Sequence, residues 1–220
     1  MLLLSAGAGL YASGQVSIAA EGGLNVSQLL FSSDGYGYYG NTSARAGAMV
    51  GGMADIRLSR HFYVQPGLYY LMTGCNFSDG GYLHVNTFEI PILLVYKFGH
   101  IDGGRFFIAG GPYFAYNISG TVLDGGTSSA LRIGSATQDA SGGGDDLRAM
   151  DFGLASDFGF QFRSGFYIRA RSQTGLTNLN PPNYYDESAY ATSFSLTVGY
   201  IFGGHNDRRG NAANRRFYRK

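Results

Sequence analysis

The sequence contains no tryptophan, one cysteine and few charged residues. The single cysteine, Cys75, excludes an internal disulfide and a cysteine-rich metal centre. Asp, Glu, Lys and Arg make up 14% of the 220 residues, whereas a soluble domain has about 25%. A chain with so little charge is poorly suited to cover a globule in water. Its net charge of +1 also provides no overall attraction to nucleic acid.

Long apolar runs are absent as well. No stretch reaches the roughly 18 consecutive apolar residues that a membrane-spanning helix needs. The chain begins with a short apolar run that ends in small residues, and Ala12 and Gly14 are spaced as at a signal-peptidase site. We therefore predict that residues 1–14 are a signal peptide and that Gln15 begins the exported protein. Because the usual basic region is missing, we expect this signal peptide to be truncated at its start.

Glycine and aromatic residues are abundant in contrast, with 35 Gly, 17 Tyr and 16 Phe. Many lie in segments where apolar residues alternate with small or polar ones, which is typical of β-strands with two different faces. In the clearest segment, 189–202, Phe194, Leu196 and Val198 alternate with small and hydroxyl-bearing residues. Eight such segments predict strands at about 16–26, 43–58, 61–74, 84–98, 105–119, 149–162, 165–177 and 189–202.

The connections between these segments alternate in length. The short links lie at 59–60, 99–104 and 163–165, and the long links, rich in Gly, Ser, Asn and Asp, lie near 27–42, 75–83, 120–148 and 178–188. Short turns on one rim and long loops on the other are typical of outer-membrane barrels. The sequence therefore predicts an all-β, eight-stranded antiparallel up-and-down transmembrane β-barrel over residues 15–202, followed by a basic periplasmic tail at 203–220.

Proline and glycine mark special positions within this pattern. Pro66, Pro91 and Pro112 lie inside predicted strands, and because proline has no N–H to donate to a ladder, we expect bulges there. The glycine runs at 125–126 and 142–144 are interpreted as flexible loop, since no strand-to-helix context supports a phosphate-binding turn.

The distribution of charge predicts which face of the strands meets lipid. Along the eight segments the apolar face carries no Asp, Glu, Lys or Arg, whereas the opposite face carries ten. The interior of an eight-stranded barrel is only just wide enough for side chains to fill it, so the large rings must point outwards and the charges inwards. The predicted lumen polar network consists of Glu21, Arg45, Asp55, Arg57, Glu89, Lys97, Asp151, Asp157, Arg169 and Arg171.

Five acidic and five basic residues make up this network, and equal numbers of opposite charges allow neutralisation in pairs. We therefore interpret it as a structural polar core, with Glu89 near its centre and Arg169 or Arg171 as the partner of Glu89. A proton or ion path is the alternative, because ionisable groups inside a membrane are functional candidates.

Large rings gather near the short-turn ends of the strands. A ring at this depth can sit half in lipid and half among the headgroups, as in the aromatic girdles of outer-membrane barrels. The predicted aromatic girdle consists of Phe62, Tyr96, Phe98, Phe106, Phe160, Phe162, Phe166, Tyr200 and Phe202.

Four segments combine proline or glycine with aromatic or apolar residues in a distinctive order. They are FYVQPGLYY from Phe62, FEIPILLVY from Phe88, AGGPYFAY from Ala109 and GLTNL from Gly175. Together they resemble the porin-like, PorT-type outer-membrane β-barrel family of Bacteroidetes, over about residues 20–202. Where that family often has an acidic residue after its Gln-Pro pair, this chain has Gly67. The resemblance implies a barrel in the outer membrane of a Gram-negative bacterium. It implies less about activity, since some members of the family serve type IX secretion and most are small barrels without an assigned role.

Few side chains are candidates for chemistry. The four histidines have no metal-ligand spacing, so we expect no metal and no other cofactor. His84, close to Ser78 and Asp79, is the one candidate for a hydrolase site. The basic residues of the tail are interleaved with aromatics, a combination that can bind nucleic acid, but an exported tail would meet none.

We therefore predict a non-enzymatic outer-membrane β-barrel protein that is a structural or accessory subunit of an envelope or secretion assembly, or a surface-loop binder. Its expected partners are outer-membrane lipids and other envelope proteins, bound through loops 27–42 and 120–148 or the tail at 203–220. A small channel is the alternative function, and a lipid-modifying outer-membrane enzyme is the third.

Overall fold

The computed structural model describes residues 16–33, 36–38, 42–78, 80–100, 103–134, 144–181 and 187–202. The predicted signal peptide at 1–14 and the predicted tail at 203–220 lie outside the described residues. Within the described ranges, all regular secondary structure is β-strand. No helix in them is long and apolar enough to cross a membrane.

The strands differ greatly in length, and eight of them have ten residues or more. In chain order they are β1 (Val16–Ser33), β2 (Tyr36–Tyr38), β3 (Thr42–Arg57), β4 (Phe62–Phe77), β5 (Tyr82–His100), β6 (Gly104–Asp124), β7 (Thr127–Ala130), β8 (Ile133–Gly134), β9 (Leu147–Arg148), β10 (Met150–Gln161), β11 (Phe166–Gly175) and β12 (Glu187–Phe202).

The eight long strands close into a ring. Each pairs antiparallel with its neighbours in the order β10-β11-β12-β1-β3-β4-β5-β6, and the pairing of β10 with β6 joins the two ends of this order. The first and last strands are paired from Ile18–Phe202 to Ser33–Glu187. The predicted all-β, eight-stranded antiparallel up-and-down barrel is confirmed. We call the end with the short β3–β4, β5–β6 and β10–β11 links the short-turn end, and the opposite end the loop end.

The long connections are shorter than predicted, because several strands extend beyond the alternating segments. β1 continues to Ser33, β4 to Phe77 and β6 to Asp124. The predicted loop at 120–148 also contains β7, β8 and β9. Gly125 and Gly126, interpreted from the sequence as flexible loop, form the two-residue turn between β6 and β7, with φ of +53° and +81°. Two successive positive φ values are what a tight hairpin of this kind requires.

The prolines do not cause the expected bulges. Pro66 pairs with Ile92 and Pro91 pairs with Tyr113, and the register continues unchanged on either side of each. Register shifts occur elsewhere, between Ala44 and Met49 of β3 and at Asn86–Thr87 of β5. The fixed φ of proline is compatible with an extended strand, and flanking pairs in a closed ring hold the register across one missing donor.

The alternation of the sequence divides each strand between lipid and lumen. In β10 exposed and buried residues alternate through nine positions, from the exposed Met150 to the exposed Phe158. The outward residues include Leu154 at 54% and Leu196 at 52% exposed. An apolar surface of this extent suits contact with lipid tails rather than water.

The abundance of glycine has a specific cause inside the barrel, where aromatic rings lie against glycines of the neighbouring strand. Each of four inward rings is paired across its ladder with a glycine, namely Tyr69–Gly51, Phe107–Gly159, Tyr113–Gly153 and Tyr167–Gly199. A Cβ at any of these glycines would overlap the facing ring. At these four positions the narrow lumen holds a large ring because the adjacent strand has no side chain there.

The Gly199→Ala variant tests this arrangement. Its new Cβ would overlap the Tyr167 ring and lie 2.7 Å from the carbonyl oxygen of Ala20. We expect a loss of about 1–3 kcal/mol in the free energy of unfolding, as for other overpacked cores, measured by urea titration in lipid vesicles. Gly110→Ala is the matched control, because a Cβ there has only the Ala155 carbonyl oxygen within reach, at 3.8 Å. Equal losses in the two variants would contradict the close approach.

Candidate functional site in the barrel interior

A continuous series of hydrogen bonds and ion pairs begins near the short-turn end of the lumen. The Lys97 Nζ atom lies 2.7 Å from Asp55 Oδ2 and 3.2 Å from Gln161 Oε1. The other oxygen of Asp55 accepts a 2.8 Å hydrogen bond from Gln65 Nε2. Lys97 is 1% exposed, so its charge is satisfied by these partners instead of by bulk water.

Arg169 connects these hydrogen bonds and ion pairs to the opposite side of the barrel. Its strand, β11, and β4 are diametrically opposite in the ring, yet Arg169 Nη2 donates a 2.9 Å hydrogen bond to Gln65 Oε1. Arg169 Nη1 donates to Asp157 Oδ2 at 2.8 Å, and Arg169 Nε lies 3.4 Å from Glu21 Oε2. One fully buried guanidinium therefore joins both sides of the lumen.

Arg171 extends the series towards the loop end. Its Nε and Nη2 atoms donate to the two oxygens of Asp157 at 2.9 and 3.1 Å, the two-pronged geometry that suits a guanidinium and a carboxylate. Its Nη1 atom lies 3.7 Å from Glu89 Oε1. Glu89 Oε2 accepts a 2.7 Å hydrogen bond from Gln173 Nε2. Of the two partners expected for Glu89, the structure places Arg171 beside it.

The structure brings eight of the ten predicted network residues into the buried lumen and leaves two at its ends. Arg45 is half-buried at the loop end, where it donates to Asn76 Oδ1 at 2.9 Å and lies over the Tyr82 ring. Arg57 is at the short-turn end and donates to the Ser59 carbonyl oxygen. The buried set thus has five acids and three bases, and the neutralisation expected from equal numbers is not what the structure shows.

Uncharged and rim residues of the same inward face also belong to the network, and the sequence reasoning missed them. Gln65 links Asp55 to Arg169, Gln173 links Glu89 to the Ser193 hydroxyl, and Asn25 accepts a 2.8 Å hydrogen bond from Ser195. Arg105 donates to the Tyr63 hydroxyl at 3.1 Å near the short-turn end. All four lie at inward positions of the alternating pattern, so a search for polar as well as charged residues would have found them.

A cavity of about 60 Å³ lies between the ion pairs and the loop end. We call it the loop-end cavity. Its polar lining includes Glu89, Asp151, Thr87, Asn117 and Gln173, and its apolar lining includes Leu29, Leu71, Val85, Ala115, Leu147 and Leu179. None of the described residues that line it is basic.

Two connections cover this cavity. Leu147 of β9 and Leu179 are 5% and 4% exposed and pack with the inward apolar residues at the loop end. Next to Leu147, Asp146 accepts hydrogen bonds from the Arg132 side chain and backbone. The Arg132 side-chain hydrogen bond is the main reason that the pKa of Asp146 lies below its ordinary value. This pair, which lies outside the membrane-spanning strands, fixes the segment that carries Leu147.

The nine predicted girdle rings all lie on the outer surface at the short-turn end. Phe62, Tyr96, Phe98, Phe106, Phe160 and Phe162 form one run of ring contacts, with neighbouring centroids 4.8 to 6.0 Å apart. Phe166, Tyr200 and Phe202 form a second run with centroids 5.0 Å apart. The rings form a belt around the end of the barrel, at the height where interfacial aromatics are expected.

The candidate hydrolase residues do not form a described catalytic site. His84 is half-buried on β5 between Leu83 and Val85, both of which point into the barrel, so the histidine itself lies on the outer face. Asp79 is outside the described residues. Within the described ranges, no cluster of three His, Cys, Asp or Glu residues could hold a metal ion.

The closed ring, the outward apolar face, the aromatic belt and the polar lumen define a bacterial outer-membrane β-barrel protein. The chain belongs to the outer membrane protein beta-barrel domain family, which matches residues 11–180. The protein is located in the outer membrane of a Gram-negative bacterium, as predicted.

Several solved structures are similar to this chain in outline. The outer membrane protein OprG from Pseudomonas aeruginosa is 10% identical, with a TM-score of 0.48 over 84% of this chain and 95% of OprG. Ail, the attachment invasion locus protein of Yersinia pestis, is 14% identical, with a TM-score of 0.41 over 84% of this chain and 99% of Ail. Neisserial surface protein A is 11% identical, with a TM-score of 0.45 over 86% and 98% of the two chains. No curated protein sequence matches the chain.

Proposed function

We propose that the protein is a closed, non-enzymatic outer-membrane barrel that acts through its two rims, as an accessory subunit of an envelope or secretion assembly or as a surface-loop binder. The observation that carries this proposal is the hydrogen bond between Arg169 and Gln65, which joins diametrically opposite strands. A guanidinium held across the lumen blocks the route that a solute would take. Because side chains fill the interior of such a protein, partners can contact it only at the two rims of the barrel.

The proposed contacts are at the loop end and in the tail. Loops 27–42 and 120–148 would face the cell exterior and bind other envelope proteins, while the barrel wall contacts outer-membrane lipids. The basic tail at 203–220 would lie in the periplasm, and residues 1–14 would be removed as a signal peptide. The PorT-type, Bacteroidetes-like motifs of the sequence support a secretion-accessory role within this proposal.

A small channel is the second candidate, and it is favoured by the eight charged side chains buried in the lumen. Conductance separates the two candidates. We expect the purified protein to give no steady ohmic current in planar bilayers, and Glu89→Gln to give none either, because Arg169 remains held by Asp157 and Gln65. A porin in the same bilayers is the positive control. Reproducible current steps of defined size from the wild-type protein would make the channel the better interpretation.

The accessory role is tested by co-purification. Tagged protein extracted from native membranes in a mild detergent should retain at least one envelope protein in constant stoichiometry, and a variant truncated after residue 202 shows whether the tail holds it. The Gly110→Ala variant, which leaves both rims unchanged, is the matched control. Protein that elutes alone, both from native membranes and after cross-linking in intact cells, would contradict the proposal.

A further inference from the structure

The buried charges of the lumen are unbalanced at one place, the loop-end cavity. Lys97 pairs with Asp55, Arg169 lies between Glu21 and Asp157, and Arg171 contacts Asp157 and Glu89. Asp151 has no basic partner among the described ion pairs, although it is 7% exposed. The excess of two acids over the three bases therefore falls where Glu89 and Asp151 line the cavity.

Among the described residues, two carboxylate oxygens at this place have no donor within hydrogen-bond distance. They are Asp151 Oδ1 and Glu89 Oε1. Thr177 and the Phe152 amide lie near Asp151, but the Phe152 amide donates to the Thr177 hydroxyl oxygen. Asp151 Oδ2 accepts a 2.9 Å hydrogen bond from the Tyr113 hydroxyl, and Glu89 Oε1 has only the more distant Arg171 Nη1 at 3.7 Å. Burying an oxygen without a hydrogen-bond donor costs free energy. A ligand that supplies positive charge and N–H groups would therefore be stabilised by these two oxygen atoms.

The ladders place the two carboxylates at one level. Glu89 of β5 and Asp151 of β10 are both paired with Ala115, which lies between them on β6. Their Cα atoms are therefore separated by two inter-strand spacings, roughly 10 Å. Because Ala115 has only a methyl group, a small ligand can occupy the space between the two acids.

We infer that the loop-end cavity binds the ammonium end of a primary amine between Glu89 and Asp151, a site that goes beyond the proposed function and does not depend on it. Two carboxylates without a third acid or a histidine are a poor site for a divalent metal, and among the described residues no such cluster of three exists. The apolar side chains around the acids, such as Leu71, Val85 and Leu179, suit the carbon atoms of an amine better than a hydrated inorganic ion.

The volume of the cavity limits the size of this ligand. A dry protein cavity of about 150 Å³ holds benzene, with its six heavy atoms. By this ratio, 60 Å³ holds about two or three heavy atoms. An aminomethyl or aminoethyl group fits, and the remainder of a longer amine would extend past Leu147 and Leu179 towards the loop end.

The experiment uses ethylammonium as the probe and ethanol as its neutral counterpart of equal size. The full-length protein, isotope-labelled and folded in zwitterionic micelles, is titrated while the NMR signals of the Ala115 amide and the Asp151 carboxyl carbon are followed. We expect a saturable shift in the millimolar range with ethylammonium and none with ethanol. Asp151→Asn should weaken binding at least tenfold while it keeps the size of the side chain and the Tyr113 contact.

Two further variants make the result decisive. Ala115→Leu keeps both acids and fills the space between them, so it should abolish the shift even if Asp151→Asn folds poorly. Asp124→Asn, which changes an exposed acid at the end of β6, should leave binding unchanged. The inference is overturned if ethylammonium gives no saturable shift, if ethanol shifts the same signals, if potassium competes at equal concentration, or if Ala115→Leu binds normally.

Discussion

Replacing Arg169 by methionine is expected to lower the free energy of unfolding by about 3–5 kcal/mol, the cost of leaving a buried partner charge uncompensated. Arg169 is the only basic residue paired with Glu21 among the described ion pairs, and both side chains are at most 4% exposed. Methionine fills similar space and can pack against Phe107 and Tyr167, whose rings lie 5.4 Å from the guanidinium carbon. The loss in the free energy of unfolding is therefore expected to come from the uncompensated charge of Glu21 and not from a cavity in the lumen.

A double-mutant cycle with Glu21→Gln shows whether the loss has this cause. Removing both charges of a buried pair is often close to neutral, so the double variant should recover a large part of the loss of Arg169→Met. Asp157 remains held by Arg171 in both variants. Unfolding is followed by circular dichroism in a urea series with lipid vesicles. Additive losses in the cycle would show that the two groups do not act as a pair.

The exposed pair Arg132–Asp146 provides the external control. Its contact of 2.6 Å is as short as the lumen contacts, but Arg132 is 48% exposed at its side chain. Arg132→Met should cost less than about 1 kcal/mol, as for other exposed ion pairs. A loss similar to that of Arg169→Met would mean that burial does not set the strength of these pairs.

Replacing Leu196 by arginine is expected to cost about 2–4 kcal/mol, the range for a cationic side chain on the lipid face near the middle of the bilayer. Leu196 is 52% exposed in the isolated barrel, it is paired with Leu24 and Ala170, and it lies six residues from the girdle at Phe202. An arginine there must expose its charge to lipid tails or bend towards the headgroups.

The matched control is Ile18→Arg, which makes a similar change at a different depth. Ile18 is 59% exposed and is paired with the girdle residue Phe202, so its arginine reaches the headgroups and should cost only about 0–1 kcal/mol. Losses are compared in the same urea series. If Ile18→Arg is as damaging as Leu196→Arg, the short-turn end does not lie at a membrane interface.

An arginine on the inward face is expected to be no less destabilising than one on the lipid face. The polar lumen suggests that Ser195→Arg would be tolerated better than Leu196→Arg. In the structure Ser195 is 1% exposed, donates to Asn25, and is paired directly with Arg171. A second cation beside Arg171 would meet repulsion and no free space, so Ser195→Arg is unsuitable as a mild control.

Much of the fold could be predicted because the information is local. In β10 and β12, residues two apart share a face, and the apolar face lacks charge. The turn residues and the alternating link lengths set the number of strands and their antiparallel order. Strand ends were harder to predict, because β6 continues through Asp124 into a hairpin although its last residues do not alternate clearly.

The sequence by itself therefore determined the barrel and its strand count, through the alternating link lengths. It also determined the inward and outward faces, through a period of two within each strand, and the aromatic belt, through the rings near the short links. Only the tertiary structure decided which buried charges meet. Arg169 reaches Gln65 on the opposite side of the ring, whereas Arg45 and Arg57, on the same face of the pattern, lie at the two ends. The depth of a residue in the barrel depends on the register of every pair of neighbouring strands around the ring. The sequence of a single strand does not contain this information. The surplus acid at Asp151 follows from the same cause, because it appears only when closure of the ring sets the relative depth of all ten charges.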